Sequence, residues 1–217
     1  MAVIRINSTS GAEAAKAAEP PRLQEVLDVA ARLFKEKGYR STSLADIGAV
    51  LGMNKASLYY YVKSKEELAR QLILRAARRL RDVSRSPQLD NLPAAQALDV
   101  LVREHCSLIL DHPDEMSLLI QQRRFVEPGV LDEIIERERL YAAHLRAVIA
   151  RGIEEGAFRR VDASVATQLV LDTVNGLLRW YRPKGRVARD DVIEEVSRYA
   201  TSGLRPLSAA RKRRSHG

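Results

Sequence analysis

Three consecutive phenols, Tyr59-Tyr60-Tyr61, stand in a basic stretch whose polar company is Lys55, Ser57 and Lys65. Hydroxyls and ammonium groups of this kind suit hydrogen bonding to phosphates and to base edges. Neighbours on a helix point about 100° apart, so three adjacent rings cannot all enter one core. At least one is held outward; the alternative is a tyrosine-rich helix that merely packs. Other chemistry has thinner support. His105 and His112 share a helix face two turns apart, which is too wide for the i, i+4 metal pair, and Cys106 reads as a small buried hydrophobe. His105 or His144 could serve as a base only with an orienting partner, and none stands out. There is no Ser-His-Asp order, Gly-rich phosphate loop or paired-carboxylate motif. No catalytic residue, metal or cofactor is expected, and the chain is not expected to be an enzyme.

The charge distribution agrees with a nucleic-acid partner. Of the net +8, residues 1–70 hold 11 Lys/Arg against 8 Asp/Glu, residues 71–204 hold 20 of each, and residues 205–217 add five bases and no acid. A basic module on a neutral body is the implied arrangement. A single cysteine excludes an intrachain disulfide, and no apolar run approaches the roughly 20 residues of a membrane span. A cytoplasmic protein without a membrane partner is expected.

Helical periodicity accounts for the elements that must position these groups. Leu23, Val26, Ala30, Leu33 and Phe34 form one stripe over 22–37, with prolines before it and Gly38 after it. Ser43-x-x-Asp46 starts a short helix ending at Leu51-Gly52, Asn54 caps a second from Lys55 to Val62, and Ser64-x-x-Glu67 starts a longer one with Leu68, Leu72, Ala76 and Leu80 inward. Two short helices around a glycine turn describe a helix-turn-helix. Further helices are expected over 93–111, 114–125, 129–155, 163–182 and 188–202, with no strand. The expected fold is all-α, about nine helices: a flexible arm over 1–19, a DNA-binding domain over 20–66, a ligand-binding and dimerisation domain over 67–205, and a basic flexible tail over 206–217.

The stretch "STSLADIGAVLGMNKASLYYYVKSKEELARQLI" resembles the DNA-binding domain of TetR-family transcriptional regulators over residues 22–73. The matching positions are Thr42-Ser43, Asp46-Ile47-Gly48, Leu51 to Asn54, Ser57 to Val62 and Ser64 to Leu68. Gly48, Asn54 and Val62 depart from the usual alanine, serine and phenylalanine. In the domain that the resemblance implies, the second short helix enters the major groove with its N-terminal residues leading. Thr42, Ser43, Lys55, Ala56, Ser57, Tyr59, Tyr60 and Lys65 are then the expected DNA contacts. Tyr59 faces the groove, Tyr60 reaches a phosphate, and Ser43 and Lys65 offer helix N-termini to phosphates.

More weakly, "RGIEEGAFR" and "DTVNGLLRWYRPKG" resemble a TetR subgroup of fatty-acid and steroid catabolism regulators that respond to acyl-CoA thioesters. The resemblance implies a homodimeric repressor on palindromic operator DNA, released by a small hydrophobic effector, with an acyl-CoA thioester as the suggested class. A multidrug-type repressor and a non-specific basic DNA binder are the alternatives. Leu72, Leu108, Met116, Ile120, Leu145, Leu171 and Asn175 are expected to line the effector pocket, with Arg123 and Arg124 near its mouth as anion holders. Both arginines read equally well as surface. Val170, Val174, Val192, Val196 and Tyr199 are the expected dimer interface, burial within the monomer being the other reading.

Overall fold

The computed structural model describes residues 21–85, 89–121 and 128–206. Among them the chain is all-helical, in two compact units that divide between Leu68 and Ala69. The expected arm, the basic run at Arg211 to Arg214, and Arg123 and Arg124 lie outside the described residues.

In the first unit, α1 (Pro21–Lys37), α2 (Leu44–Leu51) and α3 (Lys55–Tyr61) bury one apolar face each, and α4 (Lys65–Ser84) begins. Val26, Leu27, Ala30 and Phe34 of α1 close with Ile47, Leu58, Val62 and Leu68 over a common core. Phe34 meets the ring of Tyr39 edge to face at 5.1 Å between centroids. Gly38 and Gly52 stop α1 and α2 in the left-handed region, at φ 85° and 62°, where a side chain would be strained.

The second unit holds the rest of α4, a single 3-10 turn at Leu89–Asn91, α5 (Ala94–Asp111), α6 (Pro113–Gln121), α7 (Pro128–Glu154), α8 (Ala163–Asn175), α9 (Leu177–Trp180) and α10 (Arg189–Ser202). α5 is the hub, packed by α6, α7, α8, α9 and α10. Its inward face includes Leu98, Leu101, Val102 and Ile109, all at most 1% exposed. Polar ties fix the register of its neighbours. Ser197 of α10 donates to Asp99 at 2.6 Å, and Arg103 joins Asp99 to Glu194. Pro93 gives α5 no side-chain cap, and the Glu155 carboxylate fills that role by accepting from Ala94 N at 3.1 Å.

Two expectations are corrected here. The helix expected over 163–182 is interrupted at Gly176, giving α8 and the one-turn α9, because glycine is a poor helix former with no side chain to pack. Beyond it, Arg182 caps the end of α9 by donating to the carbonyls of Arg179 and Tyr181. Val170, Val174, Val192 and Val196 are buried within this single chain, at 0–7% exposure, whereas Tyr199 is 75% exposed. The exposed apolar side chains of the same two helices are Val165, Leu169 and Tyr199. Helical periodicity marked α8 and α10 as apolar all round without saying which stripe meets the chain's own core.

The end of α7 shows why "RGIEEGAF" is spaced as it is. Gly156, at φ 72°, turns the chain back so that Phe158 N donates to the Gly152 carbonyl at 2.9 Å. The Phe158 ring then lies on Gly152 so closely that a Cβ there would sit 2.2 Å from it. Gly152→Ala is therefore expected to lower stability by about 1–3 kcal/mol, overpacking outweighing the gain in helix propensity. Urea unfolding at constant m-value measures it, and an unchanged midpoint would contradict this packing.

Candidate DNA-binding face and ligand cavity

The first unit presents α3 outward. Asn54 caps it by accepting from Ser57 N at 2.8 Å, and Leu58 and Val62 are its buried anchors. Lys55, Ala56, Ser57, Tyr59 and Tyr60 are exposed, Tyr60 the most at 84%. Tyr61 is half-buried and meets the Tyr60 ring edge to face at 5.2 Å. The Lys55 ammonium stands 5.6 Å from the Tyr59 ring centre, so cation and aromatic present one surface. Ser43 is an exposed N-cap on α2, in a reciprocal capping box with Asp46. The Ser43 hydroxyl and backbone N–H hold the Asp46 carboxyl below its ordinary range, and Lys37 adds to this.

Two of the expected contacts also bond within the unit. Thr42 is 1% exposed, and its hydroxyl is shared between the carbonyls of Gly38 and Leu33 at 3.0 and 3.2 Å. The Lys65 ammonium donates to the carbonyls of Tyr39, Thr42 and Arg40 at 3.0, 3.1 and 3.3 Å, and stands 4.5 Å from the Tyr39 ring centre. All three ammonium protons are thereby engaged. Both side chains fasten the α1–α2 connection. Tyr39, unnoticed in the sequence, completes the knot by donating to Glu66 at 3.2 Å; burial first, then the Glu66 charge, pushes its phenol up to about 12. Gly48 also gains a reason. A Cβ there would lie 3.0 Å from the Met53 carbonyl, so the departure from alanine relieves crowding at the turn and is more than a loss of helix propensity.

The second unit encloses an open cavity of about 350 Å³. α4 supplies Leu80, α6 supplies Met116, Leu119 and Ile120, and α8 supplies Leu171 and Asn175. Met116, Ile120, Leu171 and Asn175 are thus in the wall as expected. Leu72, Leu108 and Leu145 are not among the lining; they are buried in packed core. The polar groups missed in the sequence are His105 of α5, Glu138, Arg139 and Tyr141 of α7, and Gln168 of α8. Their periodicity signals an inward face and nothing more specific. Tyr141 Oη and His105 Nδ1 are 3.1 Å apart in a buried pair. Burial pushes the His105 imidazole down to about 4 and raises the Tyr141 phenol, so both are neutral near pH 7. His105 Nε2 and Asn175 Oδ1 are buried without a hydrogen-bond partner among the described residues. Arg139 is exposed and paired with Glu136 at 2.8 Å. Cys106 lies beside this wall in sequence but is buried, with a thiol raised to about 12, as an inert hydrophobe would be.

Behind the cavity, α4 and α6 are joined by charge. Glu115 accepts from Arg75 at 2.8 Å, with Arg79 at 3.4 Å. His112 follows at 3.9 Å; burial and the Arg79 charge hold its imidazole below its ordinary range. Among the described residues no group of His, Cys, Asp and Glu could hold a metal ion, and no helix is long and apolar enough to cross a membrane.

If Lys65 is structural, its loss and that of Tyr59 should differ in kind. Lys65→Ala should lower the unfolding midpoint by removing three hydrogen bonds to the carbonyls of Tyr39, Arg40 and Thr42, about 1–2 kcal/mol. Tyr59→Ala should leave the midpoint nearly unchanged and weaken DNA binding. Thermal melts beside gel shifts separate them; equal melting of Lys65→Ala and the unmutated protein would refute the anchoring role.

Comparison with known proteins agrees with this geometry. Residues 26–72 match the family of bacterial regulatory proteins, tetR family, and residues 91–204 match the tetracyclin repressor-like C-terminal domain. The HTH-type transcriptional repressor KstR2 of Rhodococcus jostii is 30% identical over 84% of this chain and 91% of its own. The solved ketosteroid transcriptional regulator KstR2 of Mycobacterium tuberculosis is 26% identical, covers 88% of this chain and 98% of its own, and superposes with a TM-score of 0.76. AibR in complex with isovaleryl coenzyme A and operator DNA, at 22% identity over 82% of this chain and 97% of its own, shares the fold with a TM-score of 0.71. A capped helix-turn-helix in one unit, a cavity in the next and both family matches lead to one assignment: the chain belongs to the TetR family of transcriptional regulators.

Proposed function

We propose that the protein is a homodimeric repressor which leaves a palindromic operator when a CoA thioester with a hydrophobic acyl group enters the α4–α8 cavity. The observation that carries this reading is the cavity itself. It is largely apolar, large enough at about 350 Å³ for an acyl or fused-ring body, and walled on one side by Leu80 of α4. That helix starts at Lys65, whose ammonium anchors the α1–α2 connection of the DNA-binding unit. The coenzyme is too large for this volume and would remain outside, where the exposed Arg139 offers one cation; Arg123 and Arg124 are further candidates. The AibR structure, which holds isovaleryl coenzyme A and operator DNA, supports a thioester effector. The test is displacement of a fluorescent operator duplex by fatty-acyl and fused-ring CoA thioesters, the free acids and free coenzyme A. Release by thioesters alone is the expected result. Release only by neutral or cationic drug-like compounds would replace this reading with a multidrug-type one.

On the DNA side, Lys55, Ser57, Tyr59 and Tyr60 are the proposed contacts, with Ser43 at the α2 N-terminus. Ala56 allows α3 to approach the groove closely. For assembly, the exposed apolar residues Val165, Leu169 and Tyr199 on the adjacent α8 and α10 are the proposed subunit surface. Leu169→Asp combined with Tyr199→Ala should cost the isolated chain little, as exposed substitutions usually do, yet place unpaired charge in the interface. Light scattering should then report a folded monomer with weakened operator binding. A dimer that survives both substitutions would place the interface elsewhere.

A further inference from the structure

The first unit carries an open hollow of about 530 Å³ between α2 and α3. α2 supplies Leu44, Ala45 and Ala49, the turn supplies Met53, and α3 supplies Lys55 and Tyr59, over Gly48 and the buried Leu58. Ala45 and Ala49 are exposed, and Leu44 and Met53 are half-buried. Scattered apolar residues on a surface need no explanation. These four converge on one hollow, beside two of the groups proposed to meet DNA.

The hollow offers few polar side chains. The Ser43 hydroxyl, also in its lining, gives its hydrogen to the Asp46 carboxylate at 2.6 Å and accepts from Asp46 N at 3.1 Å. That carboxylate is compensated further by Lys37 at 3.8 Å. Lys55 and Tyr59 supply the other polar side-chain groups, both from α3; Leu44, Ala45 and Ala49 on the α2 side are hydrocarbon. In the major groove, base pairs present donors, acceptors and one apolar group, the C5-methyl of thymine. A hydrocarbon wall discriminates among bases through that methyl group. A cytosine in its place would bring an N4 amino donor against a surface with no acceptor, and an unpaired donor is costly.

Resting on the α3 contacts proposed above, we propose that the hollow receives the C5-methyl of an operator thymine and that Leu44 and Ala45 are specificity-determining residues. Base reading is then shared between two helices. α3 supplies the hydrogen-bonding groups, and the first turn of α2 supplies the apolar contact.

The test begins with duplexes selected by the full-length protein from a random-sequence pool. Each thymine of a selected half-site is replaced in turn by deoxyuridine, symmetrically in both halves, and affinity is measured at fixed salt. Uracil lacks the methyl group and keeps every hydrogen-bonding group. One or two adjacent positions per half-site are expected to lose about fourfold for each methyl removed, the transfer value of one buried methyl. Leu44→Ala and Ala45→Ser should each bring that loss under about twofold, with folding checked by circular dichroism. If Leu44→Ala fails to fold, Ala45→Ser alone decides. Equal binding of every uracil-substituted duplex, or losses that stay undiminished in the folded variants, overturns this inference and leaves the α3 contacts standing. Failure to select any duplex over random DNA overturns both.

Discussion

Helices of eight and seven residues have almost no stability of their own, and α2 and α3 are of those lengths. Everything around them answers that constraint. Ser43 with Asp46, and Asn54, satisfy amide groups that a short helix cannot. Phe34, Ile47, Leu58 and Val62 supply the burial that holds α2 against α1 and α3 against α2. The left-handed Gly52 sets the turn, and Gly48 keeps the Met53 carbonyl free of a methyl group. The connection entering α2 has no helix of its own, so Lys65 and Thr42 tie down its carbonyls. Rigidity of α3 is the product of these groups together, and it leaves Lys55, Ser57, Tyr59 and Tyr60 free of structural duty.

That division explains what the sequence made legible. Capping boxes, glycine stops and the stripe of α1 are local signals, and each marks an element found where its spacing puts it. The outward side of α3 follows from the same periodicity, since Leu58 and Val62 must face in. The tying role of Thr42 and Lys65 was not legible because their partners are backbone carbonyls, Gly38 and Leu33 for one, Tyr39, Arg40 and Thr42 for the other. No side-chain pattern records a carbonyl that needs a donor. A lysine at a helix N-terminus inside a basic segment looks the same whether it serves phosphate or peptide.

The second unit was legible to a lesser degree for a related reason. Apolar residues that line a cavity and apolar residues that fill a core share one periodicity. Met116 and Leu72 are both fully buried, yet only Met116 borders the open volume. The difference arises from how α6, α7 and α8 splay around α5, a tertiary matter. Val174 and Leu169 differ in the same way: one stripe of α8 meets α5, and the next meets solvent. His105 shows the limit most clearly. Its sequence neighbours carry no partner for it, and Tyr141 lies 36 positions away.

The buried charge on Glu115 adds a condition on any effector. Arg75 and Glu115 are both at most 8% exposed, and pulling such a buried pair apart is costly because neither charge returns fully to water. α6 is therefore held to α4 against small independent displacements. Leu80 of α4 and Met116 of α6 both border the cavity, so a ligand there touches both partners of this ion-paired contact at once. A ligand shifts an equilibrium only by its differential affinity for the two states, and by reciprocity operator DNA must then weaken the ligand by the same factor. A latch that resists partial displacement makes any response to a ligand closer to two-state.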